Sequence, residues 1–131
     1  MKRPRILICF GHPQWSETIT SFLLPHFEVS GAVDDGASLL TESLRLEPDV
    51  LVIEVVMPLL DGIEAVRLLN LAGSKAKVVF VTLHTEEEFL NACIAEGAVG
   101  FISKSEIREH LIPAIQAAIG GQTYFRGSNA E

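Results

Sequence analysis

The sequence predicts an α/β fold, with helices covering both faces of a mostly parallel sheet. Three observations support this prediction. Five short apolar runs alternate along the chain with five amphipathic segments. The apolar runs are largely continuous, which is typical of strands that are buried on both faces. The connections are short, and strands that alternate with helices in this way form parallel sheets through right-handed crossovers.

Turn residues mark the ends of the predicted strands. The first strand ends before Gly11, and the second ends before the turn sequence Asp34-Asp35-Gly36. Aspartate favours turns because its side chain forms hydrogen bonds with the nearby backbone. Glycine favours them because it adopts positive φ angles without steric strain. The third strand begins at Val50 and contains one carboxylate, Glu54. The other predicted strands are residues 5–10, 28–33, 77–82 and 99–103.

The amphipathic segments between the strands have apolar residues at helical spacing and clear stop signals. Pro13 suits the first turn of a helix. Pro25 and Pro48 follow the first two helices, and Gly97 ends the fourth, because proline cannot continue a helix and glycine tolerates the conformation that closes one. The predicted helices are residues 15–24, 37–46, 62–71, 86–96 and 107–119.

Length and composition limit the classes of protein. The 131 residues suffice for one domain, and the hydrophobic share of 48% excludes a disordered chain. No run is long enough to span a membrane and the first apolar run is too short for a signal peptide, so a cytoplasmic location is expected. The net charge of −7 argues against direct nucleic-acid binding by this segment. Cys9 and Cys93 are expected to be buried thiols.

The carboxyl ends of neighbouring parallel strands meet at one edge of a sheet, where functional sites of such folds lie. Glu54 and Lys104 are the natural pair there, since the ammonium group can neutralise a carboxylate that is partly removed from water. The Thr82 hydroxyl is expected to add a hydrogen bond. A structural ion pair is favoured over a catalytic pair. The residues predicted to meet at this edge are Phe10, Gly11, His12, Glu54, Thr82, His84 and Lys104.

Several short motifs follow one another in a fixed order over residues 5–121. They are Ile6-Leu7-Ile8, His12-Pro13, Pro48-Asp49-Val50, Met57-Pro58, Asp61-Gly62, Val81-Thr82-Leu83-His84, Gly97-Ala98-Val99-Gly100-Phe101 and Lys104. Their order and spacing resemble the receiver domain of bacterial two-component response regulators. His12-Pro13 after strand one, Thr82-Leu83-His84 after strand four and Gly120-Gly121 at the end of helix five are similar to the subfamily that precedes a LuxR-type helix-turn-helix.

The resemblance implies a flavodoxin-like (βα)5 doubly wound sheet with strand order 2-1-3-4-5. It also implies a receiver domain at 1–121, and a linker or tail at 122–131 toward a possible DNA-binding domain.

The chain departs from this family at the positions that carry its chemistry. The family phosphorylates an aspartate where this chain has Glu54, and it holds Mg²⁺ with that aspartate and an acidic pair at the positions of Phe10 and Gly11. Mg²⁺ requires oxygen ligands, which neither residue's side chain supplies. Glu54 also places its carboxylate about 1.5 Å further out than aspartate would. We therefore expect magnesium binding to be lost, with no catalytic residues, no other metal and no enzymatic activity.

Thr82, Phe101 and Lys104 match the family's switch residues, which respond to the phosphoryl group. The chain therefore retains these residues, although it lacks the aspartate and the acidic pair. The resemblance implies a regulator of transcription that acts through an attached or partner DNA-binding domain. The departures at Glu54, Phe10 and Gly11 predict that it works independently of aspartate phosphorylation. It is expected to form a homodimer, either through helix four, strand five and helix five, or through helices one and five.

The alternative function is a small-molecule sensor. Phe10 makes the crevice more apolar than an acidic residue would, and His12, Trp15 and His84 are expected near it. Trp15 could cover the pocket, lie in an interface or pack in the core. His12 and His84 could bind zinc with Glu54, but both histidines match ordinary positions of the subfamily, so no metal site is predicted.

Overall fold

The computed structural model describes residues 3–57 and 60–125. Its strands form one parallel sheet in the order β2-β1-β3-β4-β5-β6. The predicted α/β fold and the order 2-1-3-4-5 are therefore confirmed, with one strand added at the edge. The strands are β1 (Arg5–Cys9), β2 (Glu28–Val33), β3 (Val50–Glu54), β4 (Lys77–Thr82), β5 (Gly100–Ser103) and β6 (Tyr124–Phe125).

The helices lie close to their predicted bounds, and the largest difference is at the first helix. That helix begins at Pro13, two residues earlier than predicted. The N–H group of the first helical residue has no partner within the helix, so proline, which lacks this group, is well suited to that position. A single 3₁₀ turn, Lys104–Glu106, connects β5 to the last helix. The helices are α1 (Pro13–Leu23), α2 (Gly36–Leu46), α3 (Gly62–Leu71), α4 (Glu87–Ala95) and α5 (Ile107–Ile119).

The sheet separates two apolar clusters because successive strand residues point to opposite faces. On one face, α1 and α5 pack against residues such as Ile8 and Val52. On the other face, α2, α3 and α4 pack against residues such as Leu51 and Phe80. All five residues of β3 are buried, so Glu54 at its end is held by a rigid strand.

The tail assigned to residues 122–131 needs correction. Residues Tyr124–Phe125 pair with β5 in parallel, and the Tyr124 N–H donates a hydrogen bond to the Val99 carbonyl at 2.8 Å. The prediction failed because the segment is short and surrounded by polar and small residues, which lack the pattern of a strand. The rest of the predicted tail, 126–131, and the motif residue Pro58 lie outside the described residues.

Among the residues that the structure describes, we find no helix with the length and apolar character needed to span a bilayer.

Candidate functional site

The carboxylate of Glu54 lies at the carboxyl edge of the sheet with both of its oxygens bonded. Oε1 accepts a hydrogen bond from the backbone N–H of Gly11 at 2.8 Å. Oε2 accepts one from the ammonium group of Lys104, which also forms an ion pair with it. The Glu54 side chain is only 12% exposed. Because a buried carboxylate is costly unless it is paired, these two donors account for its position.

The end of β3 is fixed from the other side by a glycine. Gly62, the first residue of α3, donates its N–H to the Val55 carbonyl at 2.7 Å. A Cβ atom on Gly62 would lie 2.6 Å from the Glu54 carbonyl oxygen, closer than any real contact allows. Glycine is therefore required where the start of α3 approaches the strand that carries Glu54.

Aromatic rings enclose the ammonium group of Lys104. Its Nζ atom lies 4.5 Å from the ring centroid of Trp15, which is a cation–π geometry. Trp15 in turn stacks on Phe10, with ring centroids 6.1 Å apart and an interplanar angle of 14°. The Lys104 side chain is 9% exposed. The chain's own side chains thus enclose the ion pair at the mouth of the crevice.

The residues present do not fit a bound Mg²⁺. Phe10 is fully buried in the apolar cluster and offers no oxygen ligand. Gly11 presents its backbone N–H group to the site, and the partial positive charge on this group repels a cation. Both oxygens of Glu54 are engaged by donors of the chain itself. Within residues 3–57 and 60–125, no three His, Cys, Asp or Glu side chains lie close enough together to hold a metal ion.

The other two switch residues, Phe101 and Thr82, are both buried. Phe101 is 1% exposed and packs under α4 with Leu90 and Cys93. The hydroxyl of Thr82 accepts a hydrogen bond from the backbone N–H of His84 at 2.9 Å. The expected bond from Thr82 to Glu54 is not among the hydrogen bonds of the described residues.

The three residues of the possible pocket, His12, Trp15 and His84, differ in their environments. His12 is exposed at the start of α1 and makes no side-chain capping bond. His84 is exposed, and its ring stacks on Phe89 with centroids 5.0 Å apart. Of the three residues, Trp15 lies at the crevice, where it contacts Lys104.

Sequence reasoning missed two contributors to the site. Gly11 was treated as a lost ligand position, although its backbone N–H binds Glu54. The contact between Trp15 and Lys104 was also missed. A signal for it exists, because long side chains in the first turn of a helix point back toward its N-terminus, and the N-terminus of α1 lies at this edge.

The two cysteines are buried thiols, as the sequence indicates. Burial, together with smaller contributions from the nearby carboxylates of Asp35 and Asp34, raises the pKa of the Cys9 thiol to about 12. Burial likewise raises the pKa of Cys93 to about 12. Both groups therefore stay protonated at neutral pH and are poor nucleophiles.

The fold and the site define a doubly wound α/β domain of the receiver type, with a paired carboxylate and lysine at the crevice. Residues 6–116 match the response regulator receiver domain family. The chain belongs to this family, which confirms the resemblance drawn from its motifs.

Relatives and solved structures agree with this assignment. The transcriptional regulatory protein MctR of Rhizobium johnstonii is 29% identical over 123 residues, which are 92% of this chain and 58% of MctR. The response regulator GacA of Pseudomonas viridiflava is 32% identical over 122 residues, 92% of this chain and 57% of GacA. The chain therefore spans little more than half the length of these relatives.

Among solved structures, a two-component response regulator of the LuxR family from Aurantimonas sp. SI85-9A1 superimposes with a TM-score of 0.88. It is 25% identical in sequence, and the match covers 94% of this chain and 89% of that one. The fold of the whole described chain is thus that of a receiver domain.

Proposed function

We propose that this chain is a receiver domain that works without phosphorylation, with its switch held in an active-like state by the Glu54–Lys104 ion pair. The observation that carries the proposal is that both Glu54 oxygens are bonded by the chain itself. A phosphoryl group would have to displace Lys104 and would meet no metal to offset its charge.

The buried aromatic residue supports the active-like assignment. In the family that this chain belongs to, Lys104 matches a residue that contacts the phosphoryl oxygens, and Phe101 matches an aromatic residue that turns inward. Here Lys104 contacts a carboxylate and Phe101 is 1% exposed. Glu54 thus partly replaces a phosphorylated aspartate, with less negative charge. Because Thr82 bonds elsewhere, the imitation is incomplete.

The output is proposed to be control of transcription through an attached or partner DNA-binding domain, in the cytoplasm and without enzymatic activity. The names of MctR and GacA describe a transcriptional regulatory protein and a response regulator. The receiver itself is unsuited to bind DNA, because its net charge of −7 would repel the phosphate backbone.

We further propose that the domain forms a homodimer through α1 and α5 rather than through α4, β5 and α5. The edge of β5 is covered by β6. On the face of the sheet that α1 and α5 cover, Leu24 follows directly after α1 and is 49% exposed, and Ile119 ends α5 and is 43% exposed. The partly buried Phe22 and Ile112 belong to the same layer and could extend this apolar surface.

The decisive test is incubation with acetyl phosphate and Mg²⁺, followed by intact-mass measurement. We expect no phosphoryl adduct on the wild-type chain or on Glu54→Asp, because the Glu54→Asp variant still lacks the two acidic residues at Phe10 and Gly11. A receiver domain that has the usual aspartate and acidic pair serves as the positive control for the reagent. Stoichiometric phosphorylation of Glu54 would contradict the proposal.

A small-molecule ligand in the crevice is the alternative. It has less support, since Trp15 contacts Lys104 at the crevice and three clefts among the described residues are lined by neither of them nor by Glu54. Thermal-shift screening separates the two functions, because a ligand specific for the folded state raises the melting temperature.

A further inference from the structure

A cleft outside the crevice lies where α1 faces the carboxyl end of β2, which is an edge strand of the sheet. Its volume is about 630 Å³, within the range of small-molecule sites. None of its lining residues comes from α5, so it is separate from the surface proposed above for the dimer. The polar lining residues are Ser16, Glu17, Thr20, Ser21, Asp34 and Ser38.

Two carboxylates of this cleft have no cation beside them. The side chains of Glu17 and Asp34 are exposed, and the ion pairs of the residues that the structure describes involve other carboxylates. No lysine, arginine or histidine is among the residues that line the cleft. The net charge of −7 adds to the negative potential at this edge of the sheet. The cleft therefore attracts cations.

The buried member of the polar lining is Ser16, which is 8% exposed. Its Oγ atom has no hydrogen-bond partner among the described residues. The Ser38 hydroxyl, by contrast, donates a hydrogen bond to the Asp35 carboxylate at 3.2 Å. Buried hydroxyl groups nearly always have a partner, and one that lacks a partner costs free energy. A ligand that bonded the Ser16 hydroxyl would remove that cost.

The groups of the cleft favour an organic cation over other ligands. A metal ion is disfavoured, because no three His, Cys, Asp or Glu side chains lie close enough to hold one in the described parts of the chain. Glu17 and Asp34 would repel an anion, and a neutral polyol would gain nothing from their charge. Ammonium groups supply positive charge and several N–H donors, which carboxylate and hydroxyl oxygens accept.

We propose that this cleft binds a small organic cation with more than one ammonium group. Glu17 and Asp34 hold the ammonium groups, and the Ser16 hydroxyl is a further acceptor. The bound molecule connects α1 to the turn after β2, because these two segments carry the carboxylates. The site is distinct from the crevice of Glu54, and its occupation does not depend on whether the receiver is phosphorylated.

The test is isothermal titration calorimetry of the whole chain with spermidine, and with sorbitol as a neutral polyol of comparable size. We expect saturable binding of spermidine and none of sorbitol. The double variant Glu17→Gln/Asp34→Asn should raise the dissociation constant of spermidine by about tenfold or more. The matched control is Glu87→Gln/Glu88→Gln, which removes as much charge from exposed positions in the first turn of α4. The control should bind spermidine as the wild type does.

Equal weakening in the two double variants would show that spermidine responds to the net charge rather than to this cleft, and it would overturn the proposal. The absence of saturable spermidine binding to the wild-type chain would also overturn it. Binding of sorbitol as tight as that of spermidine would exclude an organic cation as the preferred ligand.

Ser16→Ala gives a second readout, because its effects with and without the probe differ. Without spermidine, the melting temperature should stay the same or rise, since the variant removes a buried hydroxyl that has no partner. With spermidine, the rise in melting temperature should be smaller than in the wild type. An undiminished rise would contradict the role of Ser16.

Amide chemical shifts of the wild-type chain locate the probe and do not require that any variant folds. Spermidine should shift the amide signals of residues 13–21 and 32–38, which surround the cleft. Shifts confined to the crevice around Glu54 and Lys104 would overturn the proposal. None of these readouts involves a phosphoryl donor, so their outcome is independent of the proposed function.

Discussion

Glu54 and Lys104 lie 50 residues apart in the chain and form an ion pair at the carboxyl edge of the sheet. The pair is shielded from water, with side-chain exposures of 12% and 9%. The strand β3 presents the carboxylate, and the turn after β5 presents the ammonium group. Since β4 lies between these two strands, the pair bridges the crevice of the sheet.

The first prediction concerns the energetics of this pair. Lys104→Met should lower the free energy of unfolding by ~3–5 kcal/mol, because it leaves a buried carboxylate without its cation. Glu54→Gln should also destabilise the domain, and the double variant should lose less than the sum of the two single changes. Urea denaturation of the four proteins measures this coupling.

The control for the pair is Arg67→Met, which breaks a solvent-exposed ion pair with Glu64 on α3. This variant should leave the free energy of unfolding nearly unchanged, since exposed pairs contribute little. Strictly additive effects of the Lys104 and Glu54 changes would show that the pair does not stabilise the fold.

The second prediction concerns Trp15, which contacts both Phe10 and Lys104. Trp15→Ala should destabilise the domain by about 2 kcal/mol, less than the ~3–5 kcal/mol of a fully buried aromatic residue. Trp15→Phe should retain most of the stability, because a ring remains to stack on Phe10. Thermal denaturation followed by circular dichroism distinguishes the two variants. Equal losses in both would argue against the stacked ring as the stabilising element.

The third prediction concerns alkaline pH. The folded state keeps the Cys9 and Cys93 thiols protonated up to about pH 12, whereas the ordinary pKa is 9.0. Above pH 9 the unfolded chain therefore binds fewer protons than the folded one, and the free energy of unfolding falls as the pH rises toward 12. Cys9→Ala should reduce this slope in denaturation experiments. Rapid alkylation of both thiols in the folded protein at neutral pH would contradict the prediction.

The fourth prediction concerns the dimer. Ile119→Glu places a charge in the apolar surface of α1 and α5, and it should weaken self-association of the wild-type chain at least about tenfold, which is ~1.4 kcal/mol. The matched control is Leu83→Glu, which alters a side chain that is 69% exposed and follows β4. Equilibrium sedimentation measures both variants. A dimer that Leu83→Glu disrupts and Ile119→Glu leaves intact would place the interface elsewhere.

The alternation of strands and helices could be predicted from sequence because its signals are local and strong, whereas the strand order followed from the family resemblance. The continuous apolar run before Glu54 and the turn at Asp34-Asp35-Gly36 each mark an element without help from the rest of the chain. The Glu54–Lys104 pair also followed from sequence, since both residues end strands that lie close together in a parallel sheet.

Apart from the contact between Trp15 and Lys104, the missed features depend on groups that carry no sequence signal. Gly11 bonds Glu54 through its backbone, which every residue except proline could supply. The hydroxyl of Thr82 accepts a hydrogen bond from the backbone N–H of His84, which almost any residue at that position could supply. The strand Tyr124–Phe125 is held mainly by distant residues such as Val99 and His110, so its two residues do not form a pattern of their own.

The most direct test of the central claim uses the fluorescence of Trp15, the chain's single tryptophan. Its ring lies 4.5 Å from the ammonium group of Lys104, so an anion that enters between Lys104 and Glu54 must change its emission. Titration with Mg²⁺ and then with beryllofluoride should leave the emission unchanged, because the ion pair already completes the site. A saturable change in emission that requires both Mg²⁺ and beryllofluoride would contradict a receiver that works without phosphorylation.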